Sequence, residues 1–389
     1  MTAKKRPTSS ASSPTEAIKA RARQLGFDLV GIAPAERPVH ADFYLDWLKH
    51  EYNGEMAYLD RDDAVERRLD PAKALPGARS IIMVAMNYAG GGDGPADDPS
   101  RAVLARYARA VDYHTVFEEK LAELESSIRE LAGDKVKTRL YVDYGPVLER
   151  DHAQRAGLGW IGKNTCLINT ELGSYIFIGE ILTDAQLEPD DPFSLDHCGT
   201  CDRCIWACPT GAIEDARVLD ARLCISYQTI ELRGPIAIEL RPAIGNRIFG
   251  CDICQEVCPW NKEAPQTSEP RFKPRDDISG PELIELMQLS EAEFDARFAD
   301  APLARAKRRG LLRNVAIALG NWGDRAALPA LLGGLNDEDP LVRGHAAWAL
   351  GRFDDPSAVK ALEFRLEFED DGWVRTEIGL ALEGKPANE

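Results

Sequence analysis

The 389-residue chain has no long apolar run. The longest, SIIMVAM from Ser80 to Met86, is far short of the roughly 18 residues a membrane-spanning helix needs. It reads as a buried strand, and no membrane association is expected. The opening MTAKKRPTSSASSPT lacks the apolar core of a secretory leader, so residues 1–13 read as a disordered tail and the protein is expected in the cytoplasm. Positive charge is also scarce. Against 64 Asp and Glu stand 47 Lys and Arg, and the net charge of −17 argues against nucleic-acid binding over the whole surface. A local basic patch is still permitted. No Gly-x-Gly-x-x-Gly run follows a strand pattern, so a Rossmann nicotinamide site has no support. Residues 89–95, AGGGDGP, precede an acidic loop rather than a helix and read as flexible.

What the chain does have is cysteine in one place. Eight of its nine cysteines lie from Cys198 to Cys258, and in a chain without a leader such clustering reads as metal binding rather than a disulfide framework. Cys198-x2-Cys201-x2-Cys204-x3-Cys208-Pro209 is the bacterial ferredoxin run, whose fourth cysteine serves the other of two four-iron clusters. Thiolates suit iron bridged by sulfide, whereas a zinc site would need only four ligands and would not explain the spacing. The second run, CDICQEVCPWN, ends in Cys258-Pro259 but lacks its middle cysteine. Crossover then gives the first cluster Cys198, Cys201, Cys204 and Cys258. The second takes Cys251, Cys254 and Cys208, with Cys224 of DARLCISYQ as the fourth ligand. Cys166, in the apolar TCLIN, is expected to be a structural thiol.

Around this segment the chain divides further. Residues 14–190 alternate helix and strand patterns and are expected to form an α/β (α+β) catalytic domain. Ser13-Pro14-Thr15-Glu16 predicts a capped helix ended by Gly26. Strands are expected at 27–33, 79–88 and 136–145, and helices at 114–133 and from Pro146 to Gly157. Residues 165–184 read as a hairpin turning at Leu172-Gly173. The ferredoxin-like two-cluster domain spans 191–265; it has too little apolar core to fold without metal. A linker with helical segments follows at 266–300. From 301 to 389 the chain repeats, aligning on Arg313, Arg343 and Arg375 at offsets of 30 and 32 residues, which predicts an all-α HEAT-like solenoid.

The stretch YVDYGPVLERDHAQRAGLGWIGKNTCLIN (141–169), the cysteine ladder, CISY, and IGNRIFGCDICQEVCPWN (244–261) together resemble the epoxyqueuosine reductase family, which is related to the corrinoid reductive dehalogenases. The resemblance implies two four-iron clusters and cobalamin in the first domain. It also implies a tRNA partner, whose wobble epoxyqueuosine is reduced to queuosine. The chain has no Asp-x-His-x-x-Gly motif to supply a histidine to cobalt. Asp143 falls in the family's catalytic-acid position; the alternative is that it caps the following helix. Arg68, Lys163, Asn164, Ser226 and Asp252 fall where the family approaches the corrinoid. LARAKRRGLLR concentrates Arg305, Lys307, Arg308, Arg309 and Arg313 with no acidic residue between them, a candidate phosphate comb that Arg241 and Arg247 could extend. A monomer served by an unidentified electron donor is expected. The competing readings are a dehalogenase-like reductase of a small molecule and a bare electron-transfer module.

Overall fold

The computed structural model describes residues 13–90 and 97–383. The expected tail, Ser13 excepted, and most of the 89–95 glycine stretch lie outside the described residues. The first domain is built on a four-stranded sheet in the order Leu29–Pro34, Ser80–Asn87, Ile176–Thr183, Thr138–Tyr141. Every neighbouring pair is antiparallel. Ser80–Asn87 is buried along its whole length because the sheet is covered on both sides. Ile82, Val84 and Met86 face helices Pro14–Gln24 and Tyr113–Ala132 through Ile18, Phe117 and Leu121. Ile81, Met83 and Ala85 face the other layer, through Ala153 and Leu158. Period-two alternation in an all-apolar strand thus supplies two cores, each large aliphatic side chain contributing roughly 1.5–3 kcal/mol by burial.

Two expectations change here. Residues 165–184 do make a tight turn, with Asn169 and Gly173 bridged, but its arms separate instead of pairing. Leu167–Ile168 pairs with Trp160–Ile161, while Ile176–Thr183 enters the main sheet. The turn is claimed by the second cysteine run: Ser174 N–H donates to Asn261 Oδ1 at 2.6 Å, and Asn261 Nδ2 returns a bond to Ser174 Oγ at 2.9 Å. A side chain at Gly173 would collide with Asn261. The helix expected from Pro146 begins only at Glu149, because 142–148 form an irregular loop with Asp143 in the left-handed region at φ 62°.

The cysteine-rich segment is stitched to its neighbours on both sides. Arg247–Phe249 runs parallel to Val103–Leu104 of the first domain. One apolar core joins Leu104, Ile248 and Phe249 to residues of the linker and of the repeats. The repeat helices are Lys307–Trp322, Leu328–Gly334, Pro340–Leu350, Pro356–Phe368 and Gly372–Leu382. Asp339, Asp355 and Asp371 cap three of them through their side chains, a signal in the sequence that spaces the repeat more sharply than the arginines do.

Candidate active site and iron–sulfur centre

Cys198, Cys201, Cys204 and Cys258 line one cavity of about 280 Å³, together with His197 and Trp260. Trp160, almost fully buried, donates its indole N–H to Cys198 Sγ at 3.5 Å. Such bonds to cluster sulfur raise a reduction potential. Burial pushes the Cys204 thiol up to about 11, and Cys198 and Cys258 add to the effect. The second set is equally well marked. Burial raises the Cys224 thiol, with Cys208 and Cys166 beside it. Cys251 is pushed up to about 12 by burial, next to Cys224 and Asp252. Cys254 rises through its contact with Cys166, then burial, then Cys251 and Cys224.

The thiols thus fall into two neighbourhoods, and Cys224 lies with Cys208, Cys251 and Cys254. Among the described residues no three His, Cys, Asp or Glu converge as they would on one ion. Four thiols held around a cavity fit an iron–sulfur cube better than a zinc tetrahedron. Cys166 is half-buried and lies beside Cys254 at the edge of the second set.

Asp143 projects from the end of the Thr138–Tyr141 strand and is exposed. Two neighbours fix it. Its backbone N–H donates to Glu149 Oε1 at 2.7 Å, and Tyr113 donates its hydroxyl to Asp143 Oδ2 at 2.8 Å. Tyr113 is itself clamped between Phe177 and His114, with ring centroids 4.2 and 4.1 Å away. Aspartate tolerates the left-handed backbone better than most residues. The capping alternative fails, since the following helix takes Leu148 as its N-cap and makes no side-chain cap bond.

Tyr107 is half-buried, and burial together with the charges of Asp143 and Asp252 raises its hydroxyl well above the usual range. Tyr58 feels Glu231, Arg305 and Asp143 in the same way. These tyrosines carried no signal in the sequence, because a lone Tyr reads as core. Asp252 is buried, and its carboxylate takes the Arg106 N–H at 2.6 Å. Ser226 is half-buried, with its N–H on Cys224 sulfur. Asn164 is buried and donates to Cys254 O at 3.4 Å. Arg68 is buried and held by the carbonyls of Tyr58 and Ala64. Lys163 pairs with Asp202, on the first cysteine run.

The basic comb is largely spent on structure. Arg313 is 1% exposed, and its guanidinium donates to Leu232 O, Gly234 O and Gln228 O. It cannot meet a phosphate. Arg343 and Arg375 likewise clamp carbonyls of the loops before their helices, so Arg313 performs the repeat's own task on the cysteine-rich segment. Arg308 is held by Asp337, and Arg241 is buried in a two-bond pair with Glu377. Exposed positions remain at Lys307, at Arg305, paired with Glu231, and at Arg309, paired with Asp339. Replacing Arg313 by Ala should destabilise the protein by roughly 3 kcal/mol, measured by denaturant unfolding, through three orphaned carbonyls and a cavity.

An α+β domain joined to a segment that gathers eight cysteines in ferredoxin spacing defines an iron–sulfur oxidoreductase. Comparison supports the class and the domains. Residues 197–261 match the 4Fe-4S double cluster binding domain, 68–144 match "Epoxyqueuosine reductase QueG, DUF1730", and 303–383 match HEAT repeats. The chain is 42% identical to the epoxyqueuosine reductase of Pseudomonas aeruginosa over 341 residues, 87% of this chain and 94% of that one. It is similar, with TM-score 0.87 and 34% identity over 95% of this chain and 97% of the other, to an epoxyqueuosine reductase solved with an epoxyqueuosine-modified tRNA-Tyr stem loop. A Bacillus subtilis epoxyqueuosine reductase, with its catalytic aspartate loop swung out of the active site, gives TM-score 0.87 and 33% identity over 95% of this chain and 98% of that one. The chain belongs to the epoxyqueuosine reductase family.

Proposed function

We propose that this protein reduces epoxyqueuosine to queuosine at the wobble position of tRNA, with Asp143 as proton donor. The observation that carries the reading is Asp143, held on an exposed loop by Tyr113 and Glu149, in a chain that also gathers its cluster cysteines around a cavity. Removing an epoxide oxygen as water needs two electrons and two protons, and this arrangement brings both kinds of supply together. Electrons from a separate donor arrive at the first set, where Cys201 and Cys258 border an open depression of about 980 Å³ beside the exposed Trp206.

The residues present fit cobalamin: Tyr58 and Tyr107 would offer rings to the broad face of a macrocycle, and Ser226, Asn164 and Asp252, carried over from the resemblance, would offer polar groups to its fringe of amides. No histidine is free to ligate cobalt: His114 is held by Asp112 between Tyr113 and Tyr144, His152 and His345 are buried, and His197 packs on Trp160 and Trp260. His40 and His50 are held by Asp151 and by the Asp46 carbonyl. When bound, cobalamin supplies a low-potential metal centre for electron transfer to the substrate.

Within this frame the chain's own residues perform three tasks. Tyr113 holds one oxygen of Asp143 and leaves the other free to carry a proton. Half-buried Tyr107, with the ring of Tyr58 beside Asp143, limits the water that reaches the proton donor. Lys307, Arg305 and Arg309 lie exposed where the backbone of a stem loop can be met. Lys307→Ala should weaken binding of an anticodon stem loop modestly and lower the slope of log K against log salt by about one. Unchanged salt dependence would remove Lys307 from the interface. The reading itself is tested anaerobically with protein reconstituted with iron, sulfide and cobalamin, and tRNA bearing epoxyqueuosine. Conversion to queuosine is expected; failure to bind cobalamin, or absence of conversion in fully loaded protein, would overturn it.

A further inference from the structure

Behind Asp143 lies a pair of carboxyl groups that the reaction so far leaves without a task. Glu180 is in the middle of Ile176–Thr183, opposite Met83 and Tyr141, and is 0% exposed. No basic side chain accompanies it there. Neither of its carboxyl oxygens receives an N–H or O–H from the rest of the described chain, and the group it faces is the Glu149 carboxyl. A fully buried carboxyl group facing a half-buried one is relieved by sharing a proton with it. Glu149 in turn accepts the backbone N–H of Asp143 at 2.7 Å. A line of three carboxyl groups thus runs from the sheet interior to the exposed tip of the loop: Glu180, Glu149, Asp143.

We propose that Glu149 and Glu180 form a proton store that recharges Asp143 between the two protonation steps of the reduction. The proposal rests on the assignment of Asp143 as proton donor. The balance requires such a store. As the first C–O bond of the epoxide breaks, its oxygen takes one proton and becomes a hydroxyl. As the second C–O bond breaks, that hydroxyl takes another proton and leaves as water, while two electrons from the clusters complete the alkene. Asp143 carries one proton at a time. With tRNA seated over the exposed loop, the second can come from inside: Glu149 passes a proton to Asp143, directly or through one water, as the Glu180 proton moves to Glu149.

Burial, then the charge of Asp143, push the Glu149 carboxyl up to about 8; the Asp143 N–H, Arg150 and Glu180 pull the other way. Burial, then Glu149 and Asp143, hold Glu180 well above the usual carboxylate range. Tyr113 and Tyr144, each raised above the usual phenol range first by burial, are titratable neighbours that stay neutral near pH 7, and Tyr141 sits opposite Glu180 in the sheet. The sign follows directly. Because the folded-state value is raised, the store is full below about pH 8 and empties as pH rises through it.

Glu149→Gln and Glu180→Gln, compared with Asp143→Asn, test this in the loaded enzyme. Glutamine retains an oxygen for the Asp143 N–H, so loop position and substrate KM should persist. Turnover under saturating reductant should fall roughly 10- to 100-fold in Glu149→Gln, a fraction of the full general-acid effect. The alkaline limb near pH 8 should vanish from what activity remains. Infrared titration of the protein without cobalamin supplies an independent readout: a protonated-carboxyl band that titrates near pH 8 and is missing from Glu149→Gln. If Glu149→Gln and Glu180→Gln keep the wild-type rate and pH profile while Asp143→Asn is impaired, the store is disproved and the proton donor stands. If Asp143→Asn retains full rate, the donor assignment fails first. Loss of thermal stability with an unchanged pH profile would make the pair structural only.

Discussion

Replacing Asp143 by Asn is expected to lower turnover of epoxyqueuosine-bearing tRNA by roughly 100- to 10,000-fold, the range for removing a positioned general acid. Asparagine is the informative substitution because the position is in the left-handed region, which Asn tolerates and Ala does not. It preserves the acceptor oxygen that Tyr113 requires and the backbone N–H that Glu149 requires. Only the transferable proton is removed. Cobalamin binding and tRNA affinity should therefore change little, and the defect should fall on kcat rather than KM. Full rate in a variant that still binds cobalamin would sink the assignment. Tyr113→Phe provides a graded control: it frees one oxygen of Asp143 without touching the proton. A loss of about tenfold or less is expected there.

How much of this was legible depends on whether a residue's task is local or distant. The cysteine runs are local, since short spacings turn several sulfurs toward one cavity, and the arrangement could be read from the order of residues alone. Counting points to Cys224, because the second run leaves one vacancy within the segment. The buried strand at Ser80–Asn87 was equally open, as eight apolar or small residues can only be covered on both faces. Strand order was not legible: antiparallel pairing of Ile176–Thr183 with two distant strands depends on what competes for the 169–174 turn, and that competitor, Asn261, is far along the chain.

Charge misled for a related reason. Arg308, Arg313 and Arg241 form part of a basic cluster when read in a line, but three-dimensional partners at Asp337, at the carbonyls of 228–234 and at Glu377 consume them. A guanidinium has five donors in a fixed fork and is the usual solution for tying irregular backbone together. The pattern of one arginine per repeat was the available clue. Glu180 was likewise hidden, because one acidic residue in a strand pattern reads as an exposed face; here the sheet is covered on that side too, and the charge must be suppressed rather than solvated.

Cys224→Ala should empty the second cluster and leave the first. Iron per chain, after anaerobic reconstitution, should fall from about eight atoms to about four. Cys198, Cys201, Cys204 and Cys258 share their own cavity, and nothing in it depends on the helix that Cys224 begins. Turnover with tRNA should be lost outright, because the second set is the one whose neighbour Asp252 shares Tyr107 with Asp143. The remaining cluster should still be reduced by a chemical reductant, giving a signal without product. Cys166 makes the experiment sharper. Its thiol lies beside Cys254, so it could substitute if the geometry relaxes. Iron held near eight in Cys224→Ala but falling to about four in the double variant with Cys166→Ala would show that rescue, and would demote Cys224 from required to preferred ligand. Iron near four in both variants fixes Cys224 as the ligand and leaves Cys166 as a neighbour that tunes the sulfur of Cys254 through an S–H contact. An intact complement of eight iron atoms in the double variant would overturn the assignment of the second set altogether.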